Sequence, residues 1–125
     1  MEYLLDTHII LWWLTDPTKI KSKGRKIIRD KNNKIYISAA SFWEMGIKQS
    51  IGRITLPHNL IDSLLAEGFA LLHITPEEGL GVSDLPFIHN DPFDRLLIIQ
   101  AKMNDLIIIT NDKQIKTYPV VTLDA

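Results

Sequence analysis

The 125-residue chain contains no cysteine, which excludes disulfide bonds, thiolate metal ligands and a cysteine nucleophile. Neither sign of charge dominates, because 14 Lys and Arg stand against 15 Asp and Glu, so the overall balance indicates no nucleic-acid or membrane partner. The main apolar run, Ile9 to Leu14, is far too short to cross a bilayer, and no basic leader precedes it. We therefore expect one compact domain over residues 1–125, located in the cytoplasm and without membrane contact.

Short β-rich runs alternate with helix-length segments, and no repeat or Gly/Ser-rich linker interrupts them. The predicted strands are 3–5, 35–37, 69–74, 106–109 and 120–123. The predicted helices are 7–14, 22–30, 39–50, 57–67, 76–81 and 92–104. The first four strands are continuous apolar runs, typical of strands covered on both faces, and the pattern predicts an α/β fold, a three-layer α/β/α sandwich with a mainly parallel central sheet. Four aromatic side chains are expected mainly in the core, with some available to a partner surface: Trp12, Trp13, Phe42 and Trp43.

Acidic residues follow the predicted strands or begin the helices beside them. Asp6 directly follows the first strand, Asp112 comes shortly after the fourth, and Glu44 lies on the helix after the second. Asp91 and Asp94 open the helix that leads into the fourth strand. Because ligands of parallel sheets bind beyond the carboxyl ends of the strands, we expect these carboxylates to converge on one volume.

A cluster of carboxylates is unfavourable without a cation, since two of them about 4 Å apart repel by roughly 4 kcal/mol at an effective dielectric of 20. Oxygen ligands without thiolates favour Mg²⁺ or Mn²⁺. Each acid also has a structural interpretation: Asp6, Asp91 and Asp112 stand where helix caps are expected, and Glu44 can pair with Lys48 one turn on. Glu44 stands among apolar residues, where an unpartnered buried carboxylate is costly, and this favours a functional role.

Four motifs carry these acids in a characteristic order. They are Leu4-Leu5-Asp6-Thr7-His8, Ser38-x-x-Ser41-x-Trp43-Glu44-x-x-x-Lys48, His89-Asn90-Asp91-Pro92-Phe93-Asp94-Arg95 and Thr110-Asn111-Asp112. In this order and spacing the sequence resembles PIN domains, in the variety found in VapC-like toxins of bacterial type II toxin–antitoxin systems. The resemblance covers the chain from Leu4 to the last strand, and the Asp-Pro-Phe-Asp-Arg stretch is its most specific part.

The resemblance implies a Mg²⁺- or Mn²⁺-dependent ribonuclease. Its catalytic and metal-binding acids map onto Asp6, Glu44, Asp94 and Asp112. It also implies an RNA substrate, a homodimer and a cognate antitoxin whose peptide tail blocks the acidic site. The secondary site candidates are Thr7, Asp91, Arg95 as a phosphate contact, and Thr110 and Asn111, which stand where the family often has a residue that orients the last acid.

In the mechanism that we expect, the metal lowers the pKa of a bound water for in-line attack on a phosphodiester. No histidine is needed as a base, so His8 and His89 are interpreted as structural, with His89 a possible substrate contact. Eight of the fourteen basic residues lie within sixteen positions, from Lys19 to Lys34. Among them, three are candidates for holding RNA phosphates, unless they are only the solvated face of a helix: Lys23, Arg25 and Lys26.

Two other interpretations remain open, and a third is disfavoured. The chain can be a PIN-like RNA-processing nuclease without an antitoxin, which the resemblance does not separate from a toxin. It can also be a non-catalytic α/β interaction module whose acids are all helix caps. A receiver-type phosphoacceptor domain is disfavoured, since it needs adjacent acids after the first strand, whereas Asp6 is followed by Thr7 and His8.

Overall fold

One parallel sheet of five strands forms the centre of the fold in this computed structural model, which describes residues 1–125. In chain order the strands are β1 (Glu2–Leu5), β2 (Lys34–Ser38), β3 (Ala70–Leu72), β4 (Ile107–Thr110) and β5 (Thr122–Asp124). Across the sheet they are ordered β3-β2-β1-β4-β5, and every neighbouring pair is parallel. The predicted parallel sheet is therefore confirmed.

Seven α-helices surround the sheet. They are α1 (Thr7–Thr15), α2 (Ser22–Arg29), α3 (Ala39–Ser50), α4 (Leu60–Ala66), α5 (Pro76–Gly81), α6 (Pro92–Met103) and α7 (Lys113–Lys116). Two short 3₁₀ helices, Pro17–Lys19 and Val82–Asp84, extend α1 and α5. No helix of the structure is both long enough and apolar enough to cross a membrane.

The core consists of two apolar clusters, one on each face of the sheet, which confirms the three-layer sandwich. Side chains of α1, α2 and α4 pack on one face, and side chains of α6 and α7 pack on the other. Successive residues of β1 alternate between them: Tyr3 and Leu5 belong to the first cluster and Leu4 to the second. Because both faces are covered, the inner strands are apolar at successive positions between their polar ends, and this explains the continuous apolar runs.

The strand order separates this fold from that of a receiver domain, in which β1 lies between β2 and β3. Here the chain leaves β1 towards β2 and β3 on one side, then crosses to β4 on the other. This reversal places the topological switch point between β1 and β4. Ligands of open parallel sheets bind at the carboxyl end of such a switch point.

Three predicted elements differ from the structure by more than one residue at an end. α4 spans Leu60–Ala66 rather than 57–67. β3 spans Ala70–Leu72 rather than 69–74, because it is an edge strand paired only with β2, and Thr75 then caps α5. β5 begins at Thr122 rather than at residue 120. The one-turn helix α7 was not predicted and forms because Asp112 caps it.

Candidate active site

The switch point brings Asp6 and Asp112 together through Thr110. Asp6 follows β1 and donates its backbone N–H to the carbonyl of Ile109 on β4 at 3.0 Å. The Thr110 hydroxyl donates to Oδ2 of Asp6 at 2.8 Å and accepts from the backbone N–H of Asp112 at 2.9 Å. One hydroxyl group therefore positions the acids that follow two neighbouring strands.

Asp6 is almost fully buried, and its Oδ1 has no hydrogen-bond partner. It occupies the N-cap position of α1, yet its side chain makes no capping bond, so the structure does not support the cap interpretation. Burial raises the pKa of Asp6 above its ordinary value, and the charges of Asp112 and Glu44 raise it further, while the Thr110 hydrogen bond and His8 oppose the rise. A buried carboxylate oxygen without a donor is costly unless a cation satisfies it.

Glu44 is held in a similar way on α3. This helix begins after Ser38, whose hydroxyl accepts from the backbone N–H of Ala40 at 3.0 Å. The Glu44 side chain is 13% exposed, and its Oε2 lies 3.3 Å from Nζ of Lys48, as the spacing predicted. Its Oε1 is buried without a partner. The ion pair thus accounts for one oxygen of Glu44 and leaves the other without a partner.

Asp91 and Asp112 both cap helices. Oδ1 of Asp91 accepts from the N–H groups two and three residues on, at 2.9 and 3.1 Å, and so begins α6. Oδ1 of Asp112 does the same for α7 at 2.7 and 3.4 Å. Capping accounts for one oxygen of each, and the second oxygen of Asp112 takes part in no hydrogen bond.

Asp94 lies in the first turn of α6, where it is buried. Its Oδ2 is 3.2 Å from Nε2 of His89, and its Oδ1 has no partner. Burial raises the pKa of Asp94 to about 8, and four neighbouring negative charges add to this effect: Asp6, Asp91, Asp112 and Glu44. The negative charges of the other four acids therefore act on the Asp94 carboxyl.

Asp6 and Glu44 share one arrangement, in which one carboxylate oxygen has a protein partner and the other is buried without one. Asp94 and Asp112 each have one oxygen that makes no hydrogen bond within the protein. No three Asp, Glu or His side chains are close enough in this structure to hold a metal ion between them. The predicted convergence is therefore electrostatic and does not reach ligand distances. Carboxylates of like charge do not approach so closely without a neutralising cation. Four unpartnered oxygens fit a hard divalent cation in chemistry.

The secondary candidates differ in what surrounds them. The Thr7 hydroxyl is 2.8 Å from that of Ser41, and this buried pair links α1 to α3. Asn111 is exposed and its side chain makes no hydrogen bond. Arg95 is buried, and its guanidinium donates within the protein, so the structure does not support the phosphate contact predicted for it.

The basic cluster does not form one patch. Lys21 pairs with the last residue of β5, which places the start of α2 at the carboxyl edge of the sheet. Lys23 and Lys26 are exposed on α2 and Arg25 is half-buried. Lys34 begins β2 at the opposite edge. Only the first turns of α2 therefore lie on the same edge as the acids.

Tyr118 is the contact that sequence reasoning missed. Its hydroxyl lies 2.7 Å from Nδ1 of His89 and accepts a hydrogen bond from Arg95 at 3.2 Å. His89 in turn contacts Asp94, so it is part of the site's hydrogen bonding. No spacing in the sequence links Tyr118 to these residues, because the chain passes through β4 and α7 before it returns.

The protein is of the parallel α/β sandwich class, with buried acids at the switch point of its sheet. The amino-acid sequence identifies the family within that class. The family model described as "PIN domain" matches residues 3–121. The chain therefore belongs to the PIN domain family. No curated protein matches the chain in sequence.

Solved structures of similar fold include proteins from three bacteria. VapBC2 from Rickettsia felis, bound to a promoter DNA fragment, has a TM-score of 0.74 at 20% identity and covers 100% of this chain and 99% of that one. DNA-bound VapBC from Salmonella typhimurium gives 0.72 at 15% identity, with 99% and 98% covered. A toxin–antitoxin complex from Klebsiella pneumoniae gives 0.62 at 16%, with 97% and 96% covered. These likenesses extend over the whole fold.

Proposed function

We propose that this chain is a Mg²⁺- or Mn²⁺-dependent endoribonuclease that hydrolyses RNA phosphodiester bonds. The observation that carries the proposal is the group of four acids around the switch point, of which the first two each have one buried carboxylate oxygen without a partner: Asp6, Glu44, Asp94 and Asp112. PIN domains are nucleases, and this agrees with the acidic site. When bound, a divalent cation supplies an activated water and neutralises the charge that develops on the phosphate.

The protein's own part is to hold these oxygens in place. Thr110 fixes Oδ2 of Asp6 and the backbone of Asp112, so that two ligands move together. Lys48 holds Oε2 of Glu44 and offsets part of the negative charge. Asp91 begins α6 and thereby sets the position of Asp94. Rigid partners of this kind orient metal ligands and strengthen binding.

The RNA phosphates need positive charge close to an acidic site. We assign this role to the first turns of α2, where Lys23, Arg25 and Lys26 lie, because that end of the helix is at the carboxyl edge of the sheet. Neutralisation of phosphates by such side chains gives a binding term that salt weakens. With RNA as the substrate, we propose that the protein acts in the cytoplasm.

We further propose that the nuclease is the toxin of a toxin–antitoxin pair and forms a homodimer. The structural neighbours solved as VapBC and toxin–antitoxin complexes support this extension. So does an aromatic pair beside the acids: Trp43, next to Glu44, is 59% exposed, and its ring centroid is 4.9 Å from that of the half-buried Phe93, next to Asp94. An exposed apolar surface of this kind is suited to cover by a protein segment.

The decisive experiment compares RNA cleavage by the wild type and Asp94→Asn with Mn²⁺ and with EDTA. Asn is isosteric and tolerated in the first helical turn, so the fold is kept while the charge is lost. We expect Mn²⁺-dependent cleavage by the wild type and none by Asp94→Asn. Asp62→Asn, an exposed acid on α4, is the matched control and retains activity. Equal cleavage by Asp94→Asn would reject its catalytic role.

Growth of a bacterial host separates the toxin from a housekeeping nuclease. A toxin arrests growth when it is induced alone, and Asp94→Asn relieves the arrest. Cleavage without growth arrest favours the RNA-processing alternative. Absence of both metal binding and cleavage favours the non-catalytic interaction module.

A further inference from the structure

His89 contacts Asp94 from a loop that the rest of the fold holds firmly. Its side chain is 9% exposed, and Nε2 lies 3.2 Å from Oδ2 of Asp94. The loop joins the 3₁₀ helix Val82–Asp84 to α6, so His89 precedes Asp94 by five residues yet reaches it from outside the helix. The direction of this hydrogen bond depends on which ring nitrogen carries the proton.

The hydrogen bonds of the Tyr118 hydroxyl determine which ring nitrogen of His89 carries the proton. It receives two N–H groups, one from the backbone of His89 and one from Nη1 of Arg95, both at 3.2 Å. A hydroxyl has two acceptor lone pairs and one hydrogen, so both lone pairs are occupied. The remaining hydrogen points to Nδ1 of His89 at 2.7 Å. A neutral imidazole that accepts at Nδ1 carries its proton on Nε2, and Nε2–H therefore donates to Asp94.

Arg95 keeps this arrangement fixed. Besides Tyr118, its guanidinium donates to the carbonyls of Pro86 at 3.0 Å and Val82 at 3.2 Å, and it lies over the ring of Phe87 at 4.9 Å. These contacts hold the loop that carries His89. The hydrogen bonds run from Asp94 through His89 and Tyr118 to Arg95. Because Arg95 follows Asp94 in sequence, this path begins and ends on the first turn of α6.

We propose that His89 is a positioning residue for Asp94, with its tautomer set by Tyr118 and its loop held by Arg95. The Nε2–H group holds Oδ2 of Asp94, and Oδ1 stays unpartnered for a ligand. The consequence for metal binding rests on the proposed function, whereas the tautomer is a property of this chain alone. Imidazole–carboxylate pairs of this kind commonly change metal affinity or activity 10–100-fold when they are broken.

The tautomer is measured directly by long-range ¹H–¹⁵N NMR of the imidazole groups, without metal or RNA. The two neutral tautomers and the doubly protonated ring give different cross-peak patterns, so the spectrum itself reports which ring nitrogen carries the proton. His89→Gln identifies the resonance of His89. We expect the Nε2–H form in the wild-type chain. The Nδ1–H form would overturn the assignment, because the ring would then have no hydrogen to donate to Asp94.

Two substitutions separate positioning from mere packing. His89→Gln places an amide NH₂ where Nε2 lies and can still donate to Asp94, whereas His89→Asn places it near Nδ1 and cannot. Both lose the ring. We expect Mn²⁺ affinity, measured by calorimetry, to fall about 10- to 100-fold in His89→Asn and to be largely kept in His89→Gln. Equal losses in both variants would show a packing role and overturn the proposal.

Tyr118→Phe tests the next link, because it keeps the ring and removes the hydroxyl. We expect weaker Mn²⁺ binding and a tautomer population that moves away from Nε2–H. Unchanged binding and an unchanged spectrum would overturn the role of Tyr118. If Tyr118→Phe does not fold, the comparison of His89→Gln with His89→Asn still tests the positioning role of His89. A wild-type chain that binds no Mn²⁺ contradicts the proposed function, while the NMR spectrum decides the tautomer separately.

Discussion

Thr110 donates its hydroxyl hydrogen to Oδ2 of Asp6 at 2.8 Å, across 104 residues of sequence. The Oγ1 atom of Thr110 also accepts the backbone N–H of Asp112 at 2.9 Å. The threonine at the end of β4 thus connects the acid that follows β1 to the acid that follows its own strand. This bond exists because β1 and β4 are neighbours in register, with Leu5 opposite Ile109.

Replacing Thr110 with Val tests this connection, because the shape is kept and the hydroxyl is lost. Asp6 then has two buried oxygens without a donor, and the N–H of Asp112 loses its acceptor. We expect a loss of about 1–3 kcal/mol in the free energy of unfolding, measured by urea denaturation. Thr110→Ser restores the hydroxyl and is expected to recover most of the loss. Equal stability of the Val variant and the wild type would contradict the buried bond.

Asp6→Asn tests whether the acids bind a cation. At a Mn²⁺ concentration ten times the dissociation constant, binding adds about 1.4 kcal/mol to stability, or several degrees in Tm for a domain of this size. We expect this rise in the wild type and its loss in Asp6→Asn, relative to EDTA. Asp105→Asn is the control, since Asp105 is exposed and has a positive φ of 53° that Asn tolerates. A similar rise in Tm in the wild type, Asp6→Asn and Asp105→Asn would show that the cation binds away from Asp6.

The metal-free protein is expected to lose stability as the pH rises towards 8. Asp94 has a pKa of about 8 in the fold, against an ordinary value of 3.8, so the folded state binds more protons between these values. The raised pKa of Asp6 acts in the same direction. Their contribution is complete below the ordinary pKa and is lost as the pH passes through the folded value.

Asp94→Asn removes that titration. We expect a flatter profile of unfolding free energy and a more stable protein at about pH 8, with EDTA present throughout. Glu78 and Asp124 have lowered pKa values and lose their stabilising charge only in acid, so the comparison is made between about pH 5 and 8. A variant profile parallel to that of the wild type would contradict the raised pKa of Asp94.

The proposed RNA contact predicts a change in salt dependence. Joint replacement of Lys23, Arg25 and Lys26 by Gln is expected to weaken binding of a single-stranded RNA. It should also flatten the plot of log K against log salt by about 2, from roughly 0.7 for each lost phosphate contact. Filter binding or fluorescence anisotropy with a non-cleaving Asp94→Asn background measures both.

A charge-matched triple variant provides the control. It replaces three basic residues at or near the opposite edge of the sheet: Lys31, Lys34 and Lys102. The net charge falls equally in both triple variants, so a general electrostatic effect flattens both plots alike. An equal change in the two would remove the assigned role from α2.

The order of strands and helices could be predicted because each element carries its own local pattern. The apolar residues Leu4 and Leu5 predict a strand even when the neighbouring strands of β1 are unknown. A strand that is covered on both faces is apolar at successive positions. Asp91 could likewise be placed as a cap from the Pro that follows it. Edge elements were less accurate: β3 is short because only one neighbour supports it. Trp43, expected mainly in the core, is instead exposed on α3, whereas Ala40 and Ser41 in the first turn of that helix are buried.

By itself, the sequence determined the acids, their order and the strand ends on which they lie, because these follow from residue type and short-range spacing. The tertiary structure alone decided which partner each acid has. Arg95 was expected at a phosphate and is instead buried against Tyr118, and His89 is fixed on Asp94 by the same hydroxyl. Such bonds join residues that are distant along the chain, and the strand crossover, rather than local pattern, brings them within hydrogen-bond distance.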